Sequence, residues 1–153
     1  MTIKDVMTKQ PTICRPETNL AAASAMMWEN DCGALPVVTE KGKLVGILTD
    51  RDICIALGTI NTLASDLTAR DVVETDPLIC DPSNDVYSAL QMMRKAKVRF
   101  LPVVNEIGVL EGMVSIDDIV LGVKRDDGKS GAAVAYGDLK TARQDVPSHP
   151  VSA

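Results

Sequence analysis

The chain carries the same stretch of sequence twice. Residues 2–57 and 68–123 align at an offset of 66 without a gap, and 20 of the 56 paired positions are identical. Thr2-Ile3-Lys4-Asp5-Val6 returns as Thr68-Ala69-Arg70-Asp71-Val72, and Leu35-Pro36-Val37-Val38 as Leu101-Pro102-Val103-Val104. Self-similarity at a fixed period marks a supersecondary unit that packs on its copy. Two copies are too few for a solenoid; they predict a pseudo-twofold pair with clefts where the copies meet. A unit of 56 residues is marginal alone, so both are expected to fold as one body. The expected boundaries are a first unit at 1–57, a linker at 58–67, a second unit at 68–125 and a C-terminal tail at 126–153. The tail is rich in Gly, Ser, Asp and Pro and reads as mobile, with a weak amphipathic pattern over 132–144.

Each unit reads as α-β-α-β-β-α, an α/β (α+β) fold. A helical turn at 2–7 and 68–73 precedes a short proline-bounded strand at Thr12–Cys14 and Leu78–Cys80. A helix follows, with Thr18 and Asn84 as expected caps. Val86, Ala89, Leu90 and Met93 recur at helical spacing, and Leu20, Ala23 and Met27 fill the matching face. Strands are expected at Leu35–Val38 and Lys43–Leu48, and at Leu101–Val104 and Val109–Val114, each pair joined by a turn with a late glycine. Final helices are expected at Arg51–Leu57 and Asp117–Val123. The methionine pairs Met26-Met27 and Met92-Met93 read as core filling together with packing at a dimer interface. Trp28, whose equivalent is Arg94, is expected to be partly exposed beside a subunit interface.

Composition removes several function classes. A net charge of −5 with no basic stripe disfavours nucleic acid and anionic membranes, and aromatics at 3% leave too few rings for a single-strand binding surface. The apolar runs are too short to span a bilayer, and MTIKDVMTKQ lacks the apolar stretch of a signal peptide, so a cytoplasmic location is expected. The cysteines at 14, 32, 54 and 80 form no C-x-x-C, and the single histidine, His149, lies in the tail. They read as small buried hydrophobes in a reducing compartment rather than as metal ligands.

The chemistry concentrates at Gly46-Ile47-Leu48-Thr49-Asp50-Arg51-Asp52 and its repeat Gly112-Met113-Val114-Ser115-Ile116-Asp117-Asp118. An apolar strand ends, a hydroxyl marks the corner and an aspartate follows three residues later. A helix N-terminus offers unpaired N–H groups and partial positive charge, which suits a phosphate. Thr49 or Ser115 would donate to phosphate, Arg51 would pair with it, and Asp52 or Asp118 would accept from two ribose hydroxyls. The same residues also make an ordinary helix cap with no ligand at all, and both readings stand at this point.

With the gapless repeat, the Leu-Pro-Val-Val strand and the G-h-h-[ST]-x-x-D corner in place, residues 2–123 resemble a tandem pair of CBS domains, a Bateman module, as in the small stand-alone CBS-pair proteins. The resemblance implies two βαββα units related by a pseudo-twofold and packed through their sheets. It implies clefts between them that bind an adenosine ligand (AMP, ADP, ATP or S-adenosylmethionine), and pairing into a homodimer. Carried over, Asp52 and Asp118 would hold ribose, with Thr49 and Ser115 facing ribose or phosphate. Thr18, Asn84, Ala23 and Ala89 would line the clefts. Gly33-Ala34 and Arg99-Phe100, ahead of Leu35-Pro36 and Leu101-Pro102, would flank adenine or phosphate, and Ile13 and Ile79 would form an apolar wall. Arg51 against Asp117, and Gly33 against Arg99, make the clefts unequal. The cleft with Thr49, Arg51 and Asp52 is expected to prefer the more phosphorylated nucleotide.

The expected function is a non-enzymatic regulatory module, a ligand or energy sensor that needs no cofactor and takes AMP, ADP or ATP as a regulatory ligand. A protein partner would read its state, and a ligand can shift that state only by its differential affinity. The alternatives are a dimerisation scaffold with empty clefts, or another ligand. A small enzyme is disfavoured, because the chain has neither a Cys-His pair nor a Walker-type loop. Asp50, Asp52, Asp117 and Asp118 would serve as solvated caps more readily than as Mg²⁺ ligands.

Overall fold

The computed structural model describes residues 1–126, so the expected tail helix at 132–144 and His149 lie outside the described residues. In chain order the elements are α1 (Ile3–Val6), β1 (Thr8–Lys9), α2 (Leu20–Glu29), β2 (Ala34–Val38), β3 (Leu44–Thr49), α3 (Asp50–Ile60), α4 (Ala69–Val72), α5 (Val86–Ala96), β4 (Phe100–Val104), β5 (Leu110–Ser115) and α6 (Ile116–Asp126). Strands β2 and β3 pair antiparallel, and β1, β5 and β4 form a second sheet in that order. The strands expected around Cys14 and Cys80 reduce to single parallel bridges, Cys14 to Val37 and Cys80 to Val103. The prolines on either side lack the N–H that would extend the ladder. The segment read as a linker at 58–67 contains the last turn of α3 and a 3₁₀ turn at Ala64–Asp66.

Two compact units emerge, and neither is a single sequence repeat. One takes Met1–Lys9, Ile79–Asn105 and the described chain from Glu111; the other takes Gln10–Leu78 and Glu106–Leu110. They are called the 79–126 unit and the 10–78 unit below. Each therefore receives the short opening helix that the sequence writes at the head of the other copy.

The reason is visible in the backbone. A four-residue helix does not pay its own nucleation cost and needs tertiary support. Its first N–H groups have no partner within the helix. In the 79–126 unit, Ile3 N–H donates to Asn84 O at 2.8 Å and Lys4 N–H to Pro82 O at 3.0 Å. In the 10–78 unit, Ala69 N–H donates to Thr18 O at 2.8 Å and Arg70 N–H to Pro16 O at 3.0 Å. Ile3 then sits fully buried among Leu90, Met93, Leu101 and Ile119, and Ala69 among Leu20, Ala23, Leu35 and Leu48. Burying an aliphatic side chain of this size stabilises by about 1.5–3 kcal/mol.

The two motif glycines serve the same docking. A Cβ on Gly46 would lie 2.8 Å from Glu74 O, and one on Gly112 would lie 2.9 Å from Thr8 O. In each unit the chain leaving the docked turn crosses the strand at the glycine, so the leading residue of the motif answers a backbone approach.

Helices α2 and α5 begin one residue later than the sequence suggests, whereas α3 and α6 begin one residue earlier and run three residues further. Asn19 caps α2 by accepting from Ala22 N–H, and Asp85 caps α5 by accepting from Tyr87 and Ser88 N–H. Thr18 and Asn84 instead close the preceding turns, accepting from Arg15 and Asp81 N–H at 2.9 Å each. The methionines fill core as expected: Met27 and Met93 are buried, while Met26 and Met92 pack against the same clusters. All four cysteines are free. Burial pushes the Cys14 thiol up to about 11 and, with Asp81 nearby, that of Cys80 up to about 12. Cys54 departs from the expectation, because it is exposed.

Candidate functional site

The two motif corners are built alike. In the 10–78 unit β3 ends at Thr49, which pairs with Ala34 across the hairpin and caps α3. Asp52 N–H donates to Thr49 Oγ1 at 3.1 Å, and Thr49 N–H donates to Asp52 Oδ2 at 2.9 Å. In the 79–126 unit Asp118 N–H donates to Ser115 Oγ at 3.1 Å, while Ser115 N–H and Oγ–H both donate to Asp118 Oδ2 at 2.8 Å. This reciprocal capping box satisfies two terminal donors at once. In each box only Oδ2 of the aspartate is engaged; Oδ1 of Asp52 and of Asp118 accepts no hydrogen bond among the described residues.

The corner corrects the expectation of a ready phosphate seat. The first N–H groups of α3 are already taken: Asp50 N–H by Gly33 O at 3.0 Å, Arg51 N–H by Asp50 Oδ1 at 2.8 Å, and Asp52 N–H by Thr49. In α6, Ile116 N–H reaches Arg99 O at 3.2 Å, and the Ser115 proton is committed to Asp118. Donors for an anion are thus side chains rather than the helix end. Arg51 is exposed. Arg99, three-quarters buried, lies 3.8 Å from the half-exposed Asp117 carboxylate. Asp50, Arg51 and Asp52 sum to −1 at one corner, and Arg99, Asp117 and Asp118 sum to −1 at the other. What these corners offer best is an acceptor for hydroxyl donors.

The remaining candidates divide. Gly33, Ala34, Thr49, Arg51 and Asp52 gather at one end of the β2–β3 hairpin, and Arg99, Phe100, Ser115 and Asp118 at the equivalent end in the other unit. Thr18 is tied instead to Arg15, whose guanidinium reaches Val38 O and Thr39 O at the far end of β2. A five-residue strand spans about 13 Å between its ends, so within its unit Thr18 stands apart from Thr49. Asn84 likewise follows Asp81 beside the Cys80 bridge. Ala23, Ala89, Leu35 and Leu101 are 0% exposed, and Pro36 and Pro102 are buried, so these six are core rather than ligand-facing. Ile13 is partly buried and Ile79 is 44% exposed, which leaves apolar surface at both positions.

One feature escaped the motif reading. A cleft of about 420 Å³ in the 10–78 unit is lined by Ser24, Met27, Trp28, Asp31, Cys32, Gly33, Asp50 and Ile53. Of these only Gly33 was a candidate. The signal was Trp28, an aromatic on the helix side away from the Leu20-Ala23-Met27 face. Among the described residues no cluster of three His, Cys, Asp or Glu exists that would hold a metal, and no helix is long and apolar enough to cross a membrane.

The duplicated corner on a helix-and-strand unit defines a class, and comparison with known proteins agrees. The CBS domain family model matches residues 3–59 and 69–125, and this chain belongs to that family, with two CBS domains. Inosine-5'-monophosphate dehydrogenase of Mycobacterium tuberculosis is 32% identical over 139 residues, 86% of this chain but 25% of that protein. The chain thus spans about a quarter of the length of such relatives. Among solved structures, CBSX2 in complex with AMP matches at TM-score 0.74 and 25% identity, covering 82% of this chain and 98% of that one. The CBS domain pair of MJ0100, in complex with 5'-methylthioadenosine and S-adenosyl-L-methionine, matches at TM-score 0.72 and 26% identity, covering 79% and 98%. The pair is a regulatory module, and the dehydrogenase likeness is confined to its CBS region.

Proposed function

We propose that this chain is a non-enzymatic, cytoplasmic regulatory module that binds an adenosine nucleotide at its two motif corners and works as a homodimer. The observation that carries the reading is the Oδ1 oxygen left to Asp52 and to Asp118 after each capping box has used Oδ2. The box holds the carboxylate in place, so an acceptor for ribose hydroxyls is preorganised. The AMP complex of CBSX2 supports the ligand class. Arg51 is the cation at hand for a phosphate in the 10–78 unit. In the other unit Asp117 beside Arg99 makes a weaker seat, so AMP, ADP and ATP are expected to discriminate between the corners.

A net charge of −1 at both corners also favours a second ligand of the same class, S-adenosylmethionine, whose sulfonium is cationic; MJ0100 binds it. Calorimetric titration of AMP, ADP, ATP and S-adenosylmethionine separates these. Micromolar binding, about −8 kcal/mol, is expected for at least one ligand, and is expected to vanish in Asp52→Ala/Asp118→Ala. Absence of heat from all four with a folded protein overturns the reading in favour of a scaffold.

A further inference from the structure

Residues 1–9 clamp the two elements that meet at the Ser115–Asp118 corner. That corner is where β5 gives way to α6. On the strand side, Thr8 pairs with Met113 and Lys9 with Gly112, two and three residues ahead of Ser115. On the helix side, Val6 fills a slot that Gly122 leaves, where a Cβ would run into Val6 Cγ1. Gly122 is four residues past Asp118, so the two lie a turn apart on one face of α6. Ser115 closes β5, and its N–H and Oγ–H hold Asp118 Oδ2 in the first turn of α6. The direction in which Asp118 Oδ1 points therefore follows the angle between strand and helix. The clamp is particular to this unit. Among the described residues the 10–78 unit has a two-stranded sheet without a counterpart of β1, and Ala56 stands where Gly122 does.

We propose that residues 1–9 are a strap whose docking is coupled to ligand binding at the Ser115–Asp118 corner, so that release of the strap reports an empty site. This rests on the reading of that corner as an adenosine site and adds how its occupancy is transmitted. The strap has the makings of a two-state element. A four-residue helix and a two-residue strand do not persist undocked. Short elements of this kind open locally, ahead of global unfolding. The strap ends at Gln10, the first residue of the 10–78 unit, whose φ of 51° lies in the left-handed region that a long side chain disfavours. A ligand that fixes the β5–α6 angle favours the docked strap, and the docked strap holds Oδ1 in place for the ligand. By linkage each strengthens the other by one factor, through an element that both bias.

The probe is whichever of AMP, ADP, ATP and S-adenosylmethionine binds tightest by calorimetry. Asp52→Ala leaves only the 79–126 corner to titrate, and Asp118→Ala only the other. Hydrogen exchange of the Ile3 and Lys4 amides reads docking, because they donate to Asn84 O and Pro82 O outside the strap. In Asp52→Ala, saturating probe is expected to slow their exchange at least about fivefold, the lower end of ordinary coupling. Val6→Asp puts a carboxylate into the Gly122 slot and so releases the strap. With circular dichroism confirming the fold, that change is expected to weaken binding at Ser115–Asp118 by a like factor and to leave Thr49–Asp52 unchanged. A probe that binds Asp52→Ala without altering exchange at Ile3 and Lys4 overturns the coupling and leaves the ligand site standing, with no strap variant needed. Equal weakening of both corners by Val6→Asp marks general loosening and overturns the coupling as well. Absence of heat from Asp52→Ala with all four probes removes the ligand site at this corner and the coupling with it.

Discussion

Replacing Ile3 by alanine asks to which unit the first helical turn belongs. Ile3 is fully buried, and the other buried residues of its cluster run from Cys80 to Ile119, none of them from the stretch 10–57 that follows it in sequence. The substitution removes three carbons, about 2.4 kcal/mol of transfer free energy at about 0.8 kcal/mol per methylene. The cavity left behind raises the expected loss to about 3–4 kcal/mol. That is a large share of a typical domain stability of about 5–15 kcal/mol. Loss of docking also frees Asn84 O and Pro82 O, which accept from Ile3 and Lys4, and loosens the β1–β5 pairing. Urea denaturation followed by circular dichroism gives the size of the loss, and amide hydrogen exchange gives its location. Protection is expected to fall most in α5 and β4, with α2 and β2 less affected, because units open separately when their cores are separate. Loss of protection concentrated in α2 and β2, with α5 unchanged, would refute the exchanged packing.

Three further outcomes follow from the same contacts. Gly46→Ala and Gly112→Ala are each expected to cost about 1–3 kcal/mol by thermal melting, because the new Cβ meets backbone oxygen at 2.8 and 2.9 Å. The carboxyls of Asp5 and Asp71 are held below 3.8 by the backbone N–H and then the hydroxyl of Thr2 and Thr68, and those of Asp81 and Asp85 chiefly by the hydroxyls of Ser83 and Ser88. Their contribution to stability is full above 3.8 and disappears as pH falls below it through the lowered values, so denaturation midpoints should be flat near neutrality and drop in that acid window. With a thiol-specific chromogenic reagent, the exposed Cys54 is expected to react in the native protein. Cys14 and Cys80, buried and pushed up to about 11 and about 12, should react only on unfolding. Native reaction of all four would contradict their place in the cores.

The secondary structure was legible to within one to three residues wherever one face of an element is apolar. The pattern Val86, Ala89, Leu90, Met93 located α5, and Leu-Pro-Val-Val located β2 and β4. The caps were misplaced by one residue, because Thr18-Asn19 and Asn84-Asp85 each offer two capping side chains in succession and local chemistry does not choose between them. The exchange of α1 and α4 could not be read from the repeat: each turn precedes one copy and docks in the other, and sequence order does not say which. At the motif, the residue types located the strand-to-helix corner but overstated its free donors. The acceptors that occupy them, Gly33 O for Asp50 and Arg99 O for Ile116, come from a different segment and appear only in three dimensions.

Where an adenosine ligand sits decides what the motif corners do. Backbone ¹H–¹⁵N shifts recorded while AMP is added to the whole chain answer this directly. The largest changes are expected at Thr49–Asp52 and Ser115–Asp118, and are expected to be lost in Asp52→Ala/Asp118→Ala. Changes centred on the Trp28–Asp31 cleft instead, or no changes at millimolar AMP, would contradict the assignment of the motif corners as ligand sites.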